Sequence, residues 1–121
     1  MKEFDKAIDE LFWAENNSSD ESLKQVAIIR RLKLLIEVGK TEQALTTVEP
    51  IIKENLELSA NESVVSTNTF IPVYNEIYGD ILVLQDKKDE AKKAYDRALA
   101  GMILAGVSTE LLRIKRNDLG E

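Results

Sequence analysis

Three carboxylates, Asp86, Asp89 and Glu90, stand close enough in sequence to be tested first for chemistry. A calcium loop needs oxygen ligands at alternating positions, a central glycine and a closing glutamate. That order is missing here. Acidic side chains in the first turn of a helix are favoured by the helix dipole, so the cluster reads as a solvated helix start. Arg113, Lys115 and Arg116 form a basic patch near the other end of the chain. Cations near a helix C-terminus are favoured for the same electrostatic reason, and this outweighs an acidic docking site. Asn17-Ser18-Ser19 and Asn61-Glu62-Ser63 are formal N-glycosylation sequons in turn-like sequence. The chain has no histidine and no cysteine. The commonest general base, the commonest metal ligand, thiol chemistry and disulfides therefore drop out. No glycine-rich phosphate loop is present either. The sequence offers no catalytic, cofactor or metal site, and it reads as a non-enzyme that needs no cofactor.

The remaining composition suits a binding domain. The chain has 121 residues, 44% of them hydrophobic, which is enough for one domain with a core. A net charge of −6 makes the electrostatic term of nucleic-acid binding repulsive, so no nucleic-acid partner is expected. The first residues lead straight into an amphipathic pattern without a signal peptide. The longest weakly polar run, residues 98–107, is ten residues. A membrane span needs about 20, so this piece reads as soluble.

The elements that position these groups are helical throughout. Phe4, Ala7, Ile8, Leu11 and Phe12 recur at helical spacing and predict a helix over 2–16. Trp13 falls on the face opposite Phe4. Large aromatics are mostly buried, so it is expected to pack on a neighbouring helix, the alternative being an exposed anchor for a partner. Ser18 and Glu21 have capping-box spacing and start a second helix near Asp20. That helix is apolar on nearly all faces, as a central helix would be. It runs to about Val38, and Gly39 ends it. A third helix starts near Thr41 and fades after Leu58, with a kink or restart expected at Glu49-Pro50. Residues 59–69 read as a mobile loop. Thr69 caps a fourth helix that carries Pro72 in its first turn and runs to about Leu84. A fifth spans about 88–105. A sixth spans about 109–118, capped by Ser108, with Leu111, Leu112, Ile114, Lys115 and Leu119 on its apolar stripe.

Within this series, Tyr78-Gly79, Leu82, Ala91, Tyr95 and Ala98 follow the tetratricopeptide pattern. Its small residues stand where two antiparallel helices approach closely. Ala44, Val48 and Ile51 repeat the spacing of Ala91, Tyr95 and Ala98 at an offset of 47 positions, and Ala7, Leu11 and Ala14 form a third copy. The first copy has only the second helix of its pair, which suggests that an upstream helix is missing. The fold expected is all-α, about six helices in tetratricopeptide-like antiparallel pairs within one domain, 1–121. Its parts are a partial repeat (2–16), two repeats (20–58 and 70–105) and a closing helix (108–119).

In such repeats the first helix of each pair lines the concave face. The candidate partner-binding groove is then Val26, Ile29, Lys33 and Glu37 from one repeat, and Val73, Glu76, Asp80 and Val83 from the next. This mixed apolar and acidic strip suits extended or helical protein segments. Some of these residues, Ile29 especially, read equally well as core or as covered by the closing helix.

The run YGDILVLQDKKDEAKKAYDRALA, followed by STELLRIKRNDL, resembles the C-terminal half of the YfgM family. Gly79, Asp80, Leu82, Glu90, Ala91, Ala94 and Tyr95 match that family's second-repeat run. Leu111, Leu112, Lys115 and Leu119 match its closing helix, and Arg30, Leu35, Gly39, Lys40, Ala44 and Leu45 match upstream. Asp86 replaces the family's turn glycine, and Leu32 replaces a small residue. The resemblance implies an ancillary subunit of the Sec translocon on the periplasmic side of the bacterial inner membrane, with the translocon and a periplasmic chaperone as protein partners. It also implies a transmembrane anchor upstream of Met1. A soluble cytoplasmic tetratricopeptide adaptor is the alternative, and the sequence leaves the oligomeric state open.

Overall fold

A computed structural model describes residues 2–60, 70–104, 106 and 108–120. Among these the chain forms α1 (Lys2–Asn17), α2 (Glu21–Glu37), α3 (Thr41–Ala60), α4 (Ile71–Leu84), α5 (Lys88–Leu104) and α6 (Glu110–Asn117), and no strand. The chain packs as two compact units, Met1–Thr47 and Val48–Glu121.

In the first unit α1 packs on α2. Ile8, Ala27, Leu32, Leu35 and Ala44 are buried there. The start of α2 is capped by Asp20, whose carboxylate accepts from the Leu23 N–H at 3.2 Å. Ser18 stands two residues too early to cap, and its hydroxyl instead accepts from the Asp20 N–H at 3.3 Å. Arg31 of α2 reaches back to α1. It forms a charge-assisted pair with Glu15, with a second guanidinium nitrogen 3.1 Å from that carboxylate, and lies 5.2 Å from the centre of the Phe12 ring. Both side chains of the pair are nearly buried, 12% and 11% exposed. Trp13 is 68% exposed, so it does not pack on a neighbouring helix as expected. Its position two residues before Glu15 turns it away from the face that meets α2.

The helix α3 is continuous through Pro50, and no restart occurs. Proline removes one backbone hydrogen bond. Pro50 and Thr46, whose carbonyl loses its donor, are both exposed, so water can take the place of the missing N–H. Burial of Ala44, Val48 and Ile52 on the other side holds the helix together. It extends to Ala60, two residues past the expected fade. The rest of the expected loop and the Asn61 sequon fall outside the described residues; Phe70, not Thr69, occupies the cap position of α4, without a side-chain hydrogen bond.

In the second unit α5 packs on α4 and α6 on α5. The α4–α5 seam is built on small residues. A Cβ at Gly79 would lie 2.5 Å from the Tyr95 ring, and one at Gly101 would lie 2.5 Å from Pro72. Neither position has room for a methyl group. Ala91, Ala94 and Ala98 are fully buried along the same seam. Leu112 of α6 completes a cluster with Tyr95 and Ala98, and Leu119 packs against it. Leu111 and Ile114, assigned to the same stripe from sequence, are instead 77% and 56% exposed. The inward face of α6 is narrower than the full set of its apolar residues. Thr109, not Ser108, occupies its cap position, without a side-chain hydrogen bond.

The two turns that follow α2 and α4 share one backbone pattern. Gly39 and Asp86 are both left-handed, at φ +82° and +60°. The next N–H reaches back five residues in each case, Lys40 to Leu35 at 2.7 Å and Lys87 to Leu82 at 2.9 Å. Gly39 bonds to Ile36 at 3.1 Å and Asp86 to Val83 at 3.0 Å. These are Schellman motifs, and every one of their residues is displaced by the offset read from the sequence.

Candidate functional site

The eight groove candidates divide between the two units. On α2, Val26 and Ile29 are half-buried, and Lys33 and Glu37 are exposed. On α4, Val73, Glu76 and Asp80 are half-buried, and Val83 is exposed. Each quartet follows helical spacing and so forms a stripe along its own helix.

The acidic part of the α4 stripe is already engaged. Lys115 of α6 donates to the Glu76 carboxylate at 2.7 Å and to both Asp80 oxygens at 3.2 Å. The Tyr95 hydroxyl donates to Asp80 at 2.6 Å. Burial works against the lysine charge, but the hydrogen bond to Glu76 and the charge of Asp80 outweigh it, and the Lys115 pKa lies above its usual value. The Tyr95 phenol is pushed well above the usual range by burial first, then by its hydrogen bond to Asp80 and that carboxylate's charge. Two carboxylates, one ammonium and one phenol thus tie three helices together. A second tie runs from Arg116 to Asp96 at 3.1 Å. Beyond the engaged carboxylates the stripe offers half-buried Val73 and exposed Val83, and α6 offers its exposed side, where Leu111 and Ile114 flank Lys115.

The basic patch read from sequence therefore separates. Lys115 and Arg116 pair across helices, whereas Arg113 is exposed and in no ion pair among the described residues. Sequence reasoning named Lys115 and Tyr95 but missed the carboxylates that they hold. The signal available was Glu76 and Asp80 at a spacing of four, with one lysine on the closing helix able to answer both. The other missed group is Arg31, which stands 47 positions before Tyr78.

No group of three or more carboxylates among the described residues is arranged to hold a metal ion. Asp86, the first of the acidic cluster, serves the turn through its left-handed backbone. No helix is long and apolar enough to cross a membrane among the described residues.

A family model described as a tetratricopeptide repeat-like domain matches residues 1–121. The chain belongs to that family. An ancillary SecYEG translocon subunit of Neisseria gonorrhoeae is 28% identical over 116 residues, which is 96% of this chain and 49% of the relative. The chain thus spans about half the length of the curated relative it matches. This likeness agrees with the YfgM-type resemblance carried by Gly79, Ala91, Tyr95 and the closing helix. No solved structure matches. A tetratricopeptide-like domain with this relative is a protein-interaction module.

Proposed function

We propose that this domain docks segments of partner proteins, without turnover, as an accessory to the Sec translocon on the periplasmic side of the bacterial inner membrane. The observation that carries the reading is the likeness to an ancillary SecYEG translocon subunit along 96% of the chain. The docking residues proposed are Val26, Ile29, Lys33 and Glu37 on α2, and Val73 and Val83 on α4. Glu76 and Asp80 act by holding Lys115, and so set the edge of the α4 stripe. The translocon channel is one partner, and a membrane-anchored periplasmic chaperone is the second. Half-buried valine and isoleucine with exposed Lys33 and Glu37 suit an amphipathic segment, with apolar contact giving affinity and the two charges giving register.

The test is site-specific photo-crosslinking in cells, with the full-length protein carrying a crosslinker at Lys33 or at Val83. Adducts with translocon subunits are expected from both positions and none from Glu54, an exposed residue of α3 outside both stripes. Adducts with cytoplasmic proteins alone would overturn the periplasmic placement and favour the soluble adaptor. Adducts from Glu54 equal to those from Lys33 would remove the docking stripes.

A further inference from the structure

The second unit carries a recess whose lining shares no residue with the α4 stripe. It encloses about 390 Å³ between α3, α4 and α5. From α3 come Glu49, Ile52, Lys53 and Leu56, at the spacing of one helical stripe; from α5 come Glu90, Lys93 and Arg97, again one stripe. Tyr78 of α4 lies between them. Ile52 and Tyr78 make an apolar floor, and Leu56 is a large apolar side chain left 44% exposed at its edge.

The charges around this recess are arranged and unspent. Among the described residues, none of Glu49, Lys53, Glu90 and Lys93 is in an ion pair, although carboxylates and ammonium groups line the same opening. Arg97 holds the Asn75 side chain through Nε at 3.0 Å, leaving its outer nitrogens outside any ion pair. On both helices the glutamate stands N-terminal to the cations. Alternate helices of a tetratricopeptide-like stack run in the same direction, so the two glutamates share one end and the cations the other. Burial first, then the charges of Glu49 and Glu90, raise the Tyr78 pKa against the lowering pull of Arg97. Along α5 the acidic and basic ends are about 10 Å apart, from seven residues at 1.5 Å each.

We propose that this recess is a second docking site, which takes a short segment of a partner protein carrying a cation and a carboxylate on either side of an apolar side chain. The proposal rests on the reading of the chain as a protein-interaction module. The apolar side chain sits on Tyr78, Ile52 and Leu56. The cation faces Glu49 and Glu90, and the carboxylate faces Lys53, Lys93 and Arg97. An all-basic segment meets three cations at one end, and an all-acidic one meets two carboxylates at the other. The recess therefore selects mixed charge in a chain whose overall charge would otherwise favour basic partners.

The test uses three blocked peptides, KALLAE, KALLAK and EALLAE, titrated into the isotopically labelled 121-residue chain at low salt and followed by NMR. Saturable shifts are expected at Lys53, Tyr78, Glu90 and Lys93, with KALLAE at least about fivefold tighter than either control. In the Lys93→Glu variant the preference moves toward KALLAK by about the same factor. Lys93 is exposed and outside the core, and an unchanged spectrum elsewhere confirms the fold. Equal affinities for the three peptides, or no saturable shifts at these residues, overturn the site. If the peptides fail while in-cell crosslinks from Lys33 and Val83 persist, the second site alone has failed. Their absence from the wild-type protein means that the underlying reading has failed.

Discussion

Tyr95 lies over Gly79, whereas the position that matches Gly79 in the first repeat holds Leu32. The offset of 47 positions places Leu32 at the register of Gly79, Val48 at that of Tyr95 and Arg31 at that of Tyr78. All of these except Arg31 and Tyr78 are buried. One repeat carries its bulk on the second helix, and the other carries it on the first. The polar ties differ as well. The first unit uses one nearly buried pair, Glu15–Arg31, reinforced by an aromatic ring, to hold α1 on α2. The second uses a half-exposed network around Asp80 to hold a closing helix. A shared repeat pattern thus fixes where helices approach, while leaving open which helix supplies the volume and which charges lock it.

The contrast is easiest to break at the register of Leu32 and Gly79. Leu32→Ala empties a fully buried site, and its expected cost is about 2–5 kcal/mol. Gly79→Leu acts in the opposite sense. It forces side-chain atoms into the Tyr95 ring and costs roughly 1–3 kcal/mol. Denaturant titration of both variants decides the point. A Gly79→Leu variant as stable as the wild type would mean that the seam does not depend on the close approach of α4 and α5.

The polar ties give the next effect. Lys115→Ala and Tyr95→Phe should each cost about 1 kcal/mol, discounted for the solvent that reaches Lys115. The loss from Lys115→Ala should shrink with added salt. The pH dependence has a definite sign. The folded pKa values of Lys115 and Tyr95 lie above their usual 10.5 and 10.0, so both groups hold their protons more tightly when folded. Their contribution is complete below about pH 10 and is lost as pH rises beyond it. In the first unit, the Asp5 carboxylate is held below its usual 3.8 by its hydrogen bond to Lys40 and by that lysine's charge. Its contribution is present above that pH and fades as pH falls through the lowered value. Hydrogen exchange resolved by residue should therefore show α6 loosening first in alkali.

The smallest effect is at the turns. Asp86 carries a side chain in the left-handed region, where glycine rests without penalty. Asp86→Gly should stabilise the second unit by about 0.5–1 kcal/mol, and Gly39→Ala should destabilise the first by about 1 kcal/mol. Opposite signs in thermal melts of the two variants would confirm that both turns need the same backbone.

Much of this contrast was legible in the sequence. Ala91, Tyr95 and Ala98 report their close packing through spacing alone, and Gly39 and Asp86 align at the right offset. Of the kink or restart expected at Pro50, the restart did not occur. The rule for proline treats a helix in isolation, whereas burial of Val48 and Ile52 supports this one from the side. Trp13 was expected inside because of its size, yet its face of α1 is not the one that meets α2. The role of Lys115 needed tertiary information. A lysine near a helix end looks the same whether it faces water or two carboxylates on another helix. For the same reason, the exposure of Leu111 and Ile114 could not be read from their apolar character.

The paired turns also bear on how such a chain could change length. Each joint is specified by backbone geometry and five-residue reach, with little dependence on the side chains around it. A crossover that joins the codon for Lys40 to that for Lys88, or the codon for Lys87 to that for Thr41, lands in the same place within the joint. The first recombinant would be shorter by one module and the second longer by one, and in both every helix would keep its phase. Duplication and deletion are thus edits to which this architecture is tolerant, whereas an insertion within a helix would rotate every residue beyond it.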